Sequence, residues 1–175
     1  MSYQLTFPRE SFLDAIKAAG RSIPTKSTLP ILEGVLINPV EGAVQVCGTD
    51  LERRTIVEID SPTTPQHPFV LDYGILKKTL QKGTTKTVGV AVDEEDLSVT
   101  LEMGGTFELR AHDGADYPEM GEDTFTPIGS ASASVMAEIL SGVGYCVSED
   151  SLRPAMKFVH VKSKGEGRTQ WTATD

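Results

Sequence analysis

The chain has little of several features that would narrow its function at once. It contains two cysteines and one tryptophan in 175 residues, and no stretch approaches the roughly 18 consecutive apolar residues of a membrane-spanning helix. Cys47 and Cys146 lack CxxC or Cys/His spacing, so reduced structural thiols are expected rather than a disulfide or zinc site. The N-terminus lacks the basic region and apolar core of a signal peptide. These absences predict a soluble, cytoplasmic protein with no metal or cofactor.

Common catalytic signatures are also missing. The sequence has no GxSxG, HExxH or GxxxxGK[ST] motif. The segment AHDGADYPE does offer His112, Asp113, Asp116 and Glu119, whose nitrogen and oxygen atoms could bind Mg²⁺ or Mn²⁺. Because acid-rich turns between strands are usually solvated loops, a metal-dependent hydrolase is kept as the alternative hypothesis. A β-rich ligand-binding module is a third, favoured only if the repeat described below is accidental.

Positive charge is scarce and unevenly distributed. The formal net charge is −9, and eleven acids but only one basic residue, Arg110, lie between Asp93 and Asp123. The amphipathic segments 9–26 and 71–83 carry instead four basic against two acidic side chains and three against one. One basic face could therefore bind a polyanion while the remaining surface repels it.

The most informative feature is an internal repeat. Setting Pro30 against Pro154 aligns STLPILEGVLI with SLRPAMKFVHV, and apolar residues coincide at alternate positions. Both stretches run into a glycine-containing turn and a second apolar stretch that ends in Thr-Asp, at 49–50 and 174–175, with a slip of one residue. Each copy predicts a β-hairpin.

The repeat extends backwards into a helical pattern. With the same shift of about 124 residues, apolar side chains recur at i, i+4, i+7 and i+11 in both copies. The matched pairs are Phe12 with Met136, Ile16 with Leu140, Ala19 with Val143, and Ile23 with Val147. Agreement of helix, proline and Thr-Asp at one shift indicates a domain-sized repeat. We predict a complete domain at 1–125 and an incomplete second domain at 126–175.

The pattern of elements predicts an α+β fold. The complete copy is predicted as strand, helix, three strands, helix and three strands, with Gly20 and Gly83 ending the helices. Short turns between strands require antiparallel pairing. Two helices on one side of antiparallel sheets leave the other side to solvent, so a doubly wound parallel sheet is excluded.

Several short motifs, in this order and spacing, resemble one family. They are TLPIL (28–32), GTDLE (48–52), DYP (116–118), RP (153–154) and ATD (173–175). Together they are similar to the bacterial sliding clamp, the β subunit of the replicative DNA polymerase III, over the chain from Tyr3 to Asp175. The resemblance implies a DNA-clamp fold and a non-catalytic processivity factor. In that family a subunit has three such domains, and two subunits form a ring around duplex DNA; this chain would be a fragment lacking the rest of domain 2 and domain 3.

The resemblance also implies where DNA would bind. Lys26, Lys78 and Arg153 match positions at which the family approaches duplex phosphates, in a manner independent of base sequence. One departure concerns residues 130–148, the first helix of the second copy, which contain no Lys or Arg. That part of the lining would not attract DNA.

The resemblance further implies two protein contacts. Met156 and Thr174 match two wall positions of the apolar pocket that receives polymerase and clamp-loader peptides, although the glycine, histidine and arginine that usually follow ATD are absent. Phe107 matches an apolar residue on the edge strand that meets the third domain of the partner subunit in the homodimer. Without the resemblance, all three would be taken as ordinary core or strand residues.

Overall fold

A computed structural model describes residues 2–61, 67–93, 95–119, 129–150 and 152–175. The chain divides into two compact units, Met1–Met120 and Gly121–Asp175. The predicted boundary between residues 125 and 126 lies outside the described residues, so the exact division of the two domains stays a prediction. Each unit is considered separately below.

The first unit alternates strands and helices much as predicted. Its elements are β1 (Ser2–Pro8), α1 (Arg9–Ala19), β2 (Gly34–Val40), β3 (Ala43–Thr49), β4 (Arg54–Asp60), β5 (Phe69–Asp72), α2 (Tyr73–Lys82), β6 (Thr87–Asp93), β7 (Ser98–Glu102) and β8 (Thr106–Asp113). Among the described residues, four strands and not the predicted three lie between the helices, because FVLD forms β5. Phe69, Val70 and Leu71 are all buried, so this short strand shows no alternation in sequence.

One antiparallel sheet carries both helices. Its strand order is β1-β6-β7-β8-β5-β2-β3-β4, in which β1 extends the run formed by β6, β7 and β8, and β5 extends the run formed by β2, β3 and β4. Phe12 and Ile16 of α1 share a buried core with Leu76 and Leu80 of α2 and the inward strand residues. This arrangement confirms the α+β fold with two helices on one side of the sheet.

The two helices run antiparallel beside each other. At one end the Arg9 guanidinium donates to the carbonyl of Leu80, at 3.1 Å. At the other end Gly20 lies so close to Tyr73 that a Cβ atom on the glycine would overlap the ring. Gly20 was predicted as a helix stop, and α1 does end before it, but its φ of −59° is right-handed. Close packing, and not a left-handed cap, requires glycine here.

The second unit has one helix and one hairpin among its described residues. They are α3 (Ala133–Gly144), β9 (His160–Gly165) and β10 (Arg168–Thr172), and the predicted hairpin is confirmed. Ser132 begins α3, because its hydroxyl accepts a hydrogen bond from the Val135 amide. No described residue of this unit is buried. None of the helices in the described part of the chain is long and apolar enough to cross a membrane.

A bulge explains the one-residue slip between the repeats. In the first hairpin Leu36 pairs with Cys47, whereas in the second His160 pairs with Thr172. The shift between copies is therefore 124 residues from β2 to β9 and 125 residues from β3 to β10. The register of β9 and β10 changes between Arg168 and Thr169, which adds one residue to β9.

Candidate nucleic-acid interface

The outward positions of α1 and α2 form a basic surface, here called the helix surface. It comprises Lys17, Arg21 just after α1, Lys77, Lys78 and Lys82. Leu76 and Leu80 point into the core, which places the intervening Lys78 towards solvent. Lys17 is paired with Asp14 at 3.0 Å, and the Lys77 ammonium lies 5.3 Å from the centroid of the Tyr73 ring. Such a surface attracts phosphates without contacting bases.

The structure places both predicted DNA contacts of the first unit at exposed positions. Lys78 lies on α2, and Lys26 lies in the irregular segment between α1 and β2. Neither forms an ion pair with any described residue, so both are available for phosphates. Sequence reasoning did not single out Lys77 and Lys82 as site residues. The excess of basic residues in segment 71–83 was the signal that could have found them.

Arg153, the third predicted DNA contact, belongs to the second unit. It precedes the 3₁₀ turn Pro154–Lys157, and its side chain is exposed. Its Nε lies 4.0 Å from a carboxylate oxygen of Asp150. That carboxylate would compete with a phosphate for the guanidinium. Arg153 is therefore a weaker candidate than the unpaired lysines of the first unit.

The two predicted pocket residues occupy different environments. Met156 is half-buried in the 3₁₀ turn, and its carbonyl accepts a hydrogen bond from the Ser148 amide at 3.0 Å. Thr174 is exposed, and its hydroxyl donates to the Asp175 carbonyl at 3.4 Å. These contacts do not test a peptide pocket, and the roles of both residues stay predictions.

The repeated Thr-Asp pair builds a turn in the first unit. The Thr49 hydroxyl donates to the Arg53 carbonyl at 2.8 Å, and Asp50 accepts from the Glu52 and Arg53 amides. An ion pair of 2.7 Å joins Asp50 to the Arg53 guanidinium. Desolvation raises the pKa of Asp50, but the hydrogen bonds and charge of Arg53 outweigh it, so the pKa is lowered overall. The pair fixes the connection between β3 and β4.

Phe107 lies beside a strand edge that is partly open. Thr106–Arg110 of β8 pair with β7, whereas β5 pairs only with Ala111–Asp113. The Ala111 amide donates to the Leu97 carbonyl, and the Met103 amide donates to the Gly105 carbonyl. Because such bonds alternate along an antiparallel pair, the odd-numbered residues of β8 direct their backbone groups towards β7. Backbone groups of Thr106 and Glu108 consequently face the other side, where no described strand pairs with them. The role of Phe107 at a subunit interface stays a prediction.

The hydrolase hypothesis is not supported by the geometry. His112 is exposed on β8, and the Asp113 carboxylate accepts a hydrogen bond from the Ala115 amide at 2.9 Å. Within the described ranges, no group of three His, Cys, Asp or Glu side chains is placed to hold a metal ion. The carboxylate of Asp113 acts as the cap of a 3₁₀ turn, Gly114–Asp116.

Two motifs of the family meet on the outer side of the sheet. Tyr117 of DYP packs with Leu32 of TLPIL, and with Leu36, Cys47 and Val70, in a second apolar cluster. Burial raises the pKa of the Tyr117 hydroxyl and of the Cys47 thiol to about 12 each. The Thr49 backbone partly offsets the rise for Tyr117, and no described residue forms a hydrogen bond with the buried hydroxyl. The cluster is structural.

Comparisons with known proteins agree with this arrangement. The model of the DNA polymerase III beta subunit, N-terminal domain, matches residues 3–121. The beta sliding clamp of Micrococcus luteus is 26% identical over 172 residues, covering 98% of this chain and 54% of that protein. The beta sliding clamp of Caulobacter vibrioides is 25% identical over 183 residues, covering 98% and 48%. The crystal structure of the beta subunit from DNA polymerase of Streptococcus pyogenes superimposes with a TM-score of 0.88 at 20% identity, covering 99% of this chain and 47% of that one.

The antiparallel sheet with two helices on one side thus defines a DNA-clamp fold. The family match covers the first unit, and the similarity to the Micrococcus luteus protein continues through the second. The chain belongs to the DNA polymerase III beta subunit family. It spans about half the length of the curated relatives it matches.

Proposed function

We propose that the protein of which this chain is part is a DNA sliding clamp, a non-catalytic processivity factor of a replicative polymerase. The basic helix surface is the observation that carries the proposal. Its five Lys and Arg side chains lie on the helix side of the first unit, in a chain with a formal net charge of −9. A clamp needs such a lining, because it must attract phosphates at every position along DNA without binding one sequence.

The remaining predicted sites have consistent roles in this proposal. Lys26, Lys78 and Arg153 contact duplex phosphates, and Lys77 and Lys82 extend the same surface. The open edge beside Phe107 receives a partner subunit in a homodimeric ring, as a strand that completes the sheet. Met156 and Thr174 contribute to a pocket for polymerase and clamp-loader peptides. The protein acts in the cytoplasm and uses no cofactor.

Topological retention on DNA tests the ring directly. The full-length protein that contains this chain should remain on a nicked circular plasmid after loading by its clamp loader, and should leave when the plasmid is linearised. A variant with Phe107→Arg should fail to remain, since a buried unpaired charge at the edge opposes closure. Equal retention on circular and linear DNA, or full retention by the Phe107→Arg variant, would contradict a clamp that closes at this edge.

A further inference from the structure

The outer face of the second hairpin carries an aromatic and basic row. Alternation along β9 puts His160 and Lys162 on one side, and Phe158, with φ −120° and ψ 152°, lies at the bend two residues before the strand. Lys164 is the extra residue of the bulge in β9. The cross-strand partners Gln170 and Thr172 complete the face, which we name the hairpin outer face: Phe158, His160, Lys162, Lys164, Gln170 and Thr172.

The opposite side of the hairpin is the one that α3 covers. Val161 pairs with Trp171 there, and Trp171 is the only half-buried residue of β10. The Trp171 indole donates to the Thr169 hydroxyl at 2.9 Å, as expected for two side chains on the same side of a strand. All residues of the hairpin outer face are exposed, and nothing in the described part of the second unit packs on them.

The charge on this segment is opposite to that of the chain. Leu152–Asp175 contains five basic and two acidic side chains, in a chain whose formal net charge is −9. Arg168 is paired with Glu166 at 2.7 Å, but Lys162 and Lys164 form no ion pair with any described residue. Two unpaired ammonium groups therefore lie on the strand that follows an exposed aromatic ring.

Phe158 replaces a glycine of the first repeat. The equivalent residue in the first unit is Gly34, where a Cβ atom would overlap the Val70 side chain of β5. A phenylalanine at this position cannot be covered by a neighbouring strand placed as β5 is. In the second unit its ring is instead 69% exposed.

We propose that the hairpin outer face binds single-stranded nucleic acid. Lysines along a strand follow the phosphates, and an exposed aromatic ring stacks on an unpaired base; this combination is typical of single-strand binding. In a duplex the bases are already stacked and would not use Phe158. An acidic peptide would form ion pairs with the lysines, but its carboxylates would not stack on the Phe158 ring. Gln170 and Thr172 supply hydrogen-bond donors to the same backbone.

This surface is separate from the proposed clamp lining. The helix surface belongs to the first unit, and α3 of the second unit contains no Lys or Arg. Arg153, the proposed duplex contact of the second unit, precedes the turn Pro154–Lys157 and is not part of the hairpin outer face. The hairpin outer face lies on the side of β9 and β10 away from α3. The inference goes beyond the clamp function and does not depend on ring formation.

Fluorescence anisotropy of the full chain with a labelled oligothymidylate of about 15 nucleotides tests the proposal. With two to three phosphates neutralised, log K should fall with log salt with a slope of about −1.4 to −2.1. Phe158→Ala should weaken binding by about fivefold or more, and Phe158→Trp should restore it. In the Lys162→Ala/Lys164→Ala variant the slope of log K against log salt should become less negative by about 1.4. Lys86→Ala, a matched change at an exposed lysine of the first unit, should have no effect.

Duplex DNA and polyglutamate are the competing ligands. Tighter binding of either, an unchanged affinity in the Phe158→Ala variant, or no binding by folded protein at low salt would overturn the proposal. Circular dichroism shows whether each variant is folded, and the Phe158→Trp variant separates loss of stacking from loss of structure. Lys26→Ala/Lys78→Ala should weaken duplex binding only, so failure of the clamp proposal and failure of this one give different results.

Discussion

The two hairpins pair in equivalent ways, apart from the bulge in the second, but have opposite surroundings. In the first, Val35 and Ile37 are fully buried beneath the helices, and Leu36 and Cys47 on the other side are buried beneath Tyr117. In the second, the equivalent Val161 is 37% exposed, and the outer side is open. The comparison shows that the alternation of apolar residues specifies a hairpin, whereas the neighbouring elements decide how much stability each residue contributes.

The largest difference is expected from truncating the inward side chains. Ile37→Ala should cost about 2–5 kcal/mol of unfolding free energy, because it leaves a cavity in a closed core. Val161→Ala should cost less than about 1 kcal/mol, since that side chain is already in contact with water. Urea denaturation followed by circular dichroism measures both. Similar losses would mean that the two hairpins are equally buried.

Hydrogen exchange should separate the two units in the wild-type chain. Amides of residues 3–119 should be protected much more strongly than those of 129–175, because the second unit has no buried core among its described residues. Protection of the second unit should increase with protein concentration if a second copy covers its apolar face. Equal and concentration-independent protection would show that the second unit is complete.

The Thr-Asp pairs should also differ between the repeats. Asp50→Ala should destabilise the chain by about 1–2 kcal/mol, because it removes amide and guanidinium hydrogen bonds, whereas Asp175→Ala should change little. Since the pKa of Asp50 is lowered in the fold, its contribution is present above the unfolded pKa of about 4 and is lost as the pH falls through the folded value. Thermal melts from pH 7 to pH 2 measure this. An equal pH dependence in the Asp50→Ala variant would contradict the assignment.

The smallest effect concerns the cover of the first hairpin. Tyr117→Phe keeps the ring that packs on Leu36 and Cys47 but removes a buried hydroxyl with no described partner. The change should be neutral or stabilising, by up to about 1 kcal/mol, because an unsatisfied buried group is costly. Differential scanning calorimetry would detect the shift. A marked destabilisation would indicate a partner for the hydroxyl.

Sequence periodicity predicted the elements better than their environments. The helical stripe that includes Phe12 and Ile16 depends on local spacing, and the structure confirms it. The spacing in β2 predicted the strand correctly, but its burial does not alternate, because residues 34–37 are all buried. The strand β5 was missed, because a short strand buried on both sides lacks alternation. The cover of Leu36 could not be predicted, because Tyr117 is distant in the sequence and only the fold brings them together.

The candidate site was predicted only in part, for a similar reason. Lys26 and Lys78 came from the resemblance to the family, and the structure places both in exposed positions. Lys17, Arg21 and Lys77 form one surface because α1 packs antiparallel to α2. That packing depends on contacts between residues distant in the sequence, Gly20 with Tyr73 and Arg9 with Leu80. Charge counts alone do not contain that information. The ion pair of Arg153 with Asp150 was equally invisible without geometry.

The salt dependence of duplex binding tests the central claim most directly. The helix surface should bind duplexes of different sequence with equal affinity, and the Lys26→Ala/Lys78→Ala variant should lose about 1.8 from the slope of log K against log salt. Arg110→Ala, at an exposed residue of β8 whose neighbour Leu109 packs on the core beneath the helices, should keep the wild-type slope. An unchanged slope in the double variant, or a preference for one sequence that survives raised salt, would contradict a sequence-independent lining on α1 and α2.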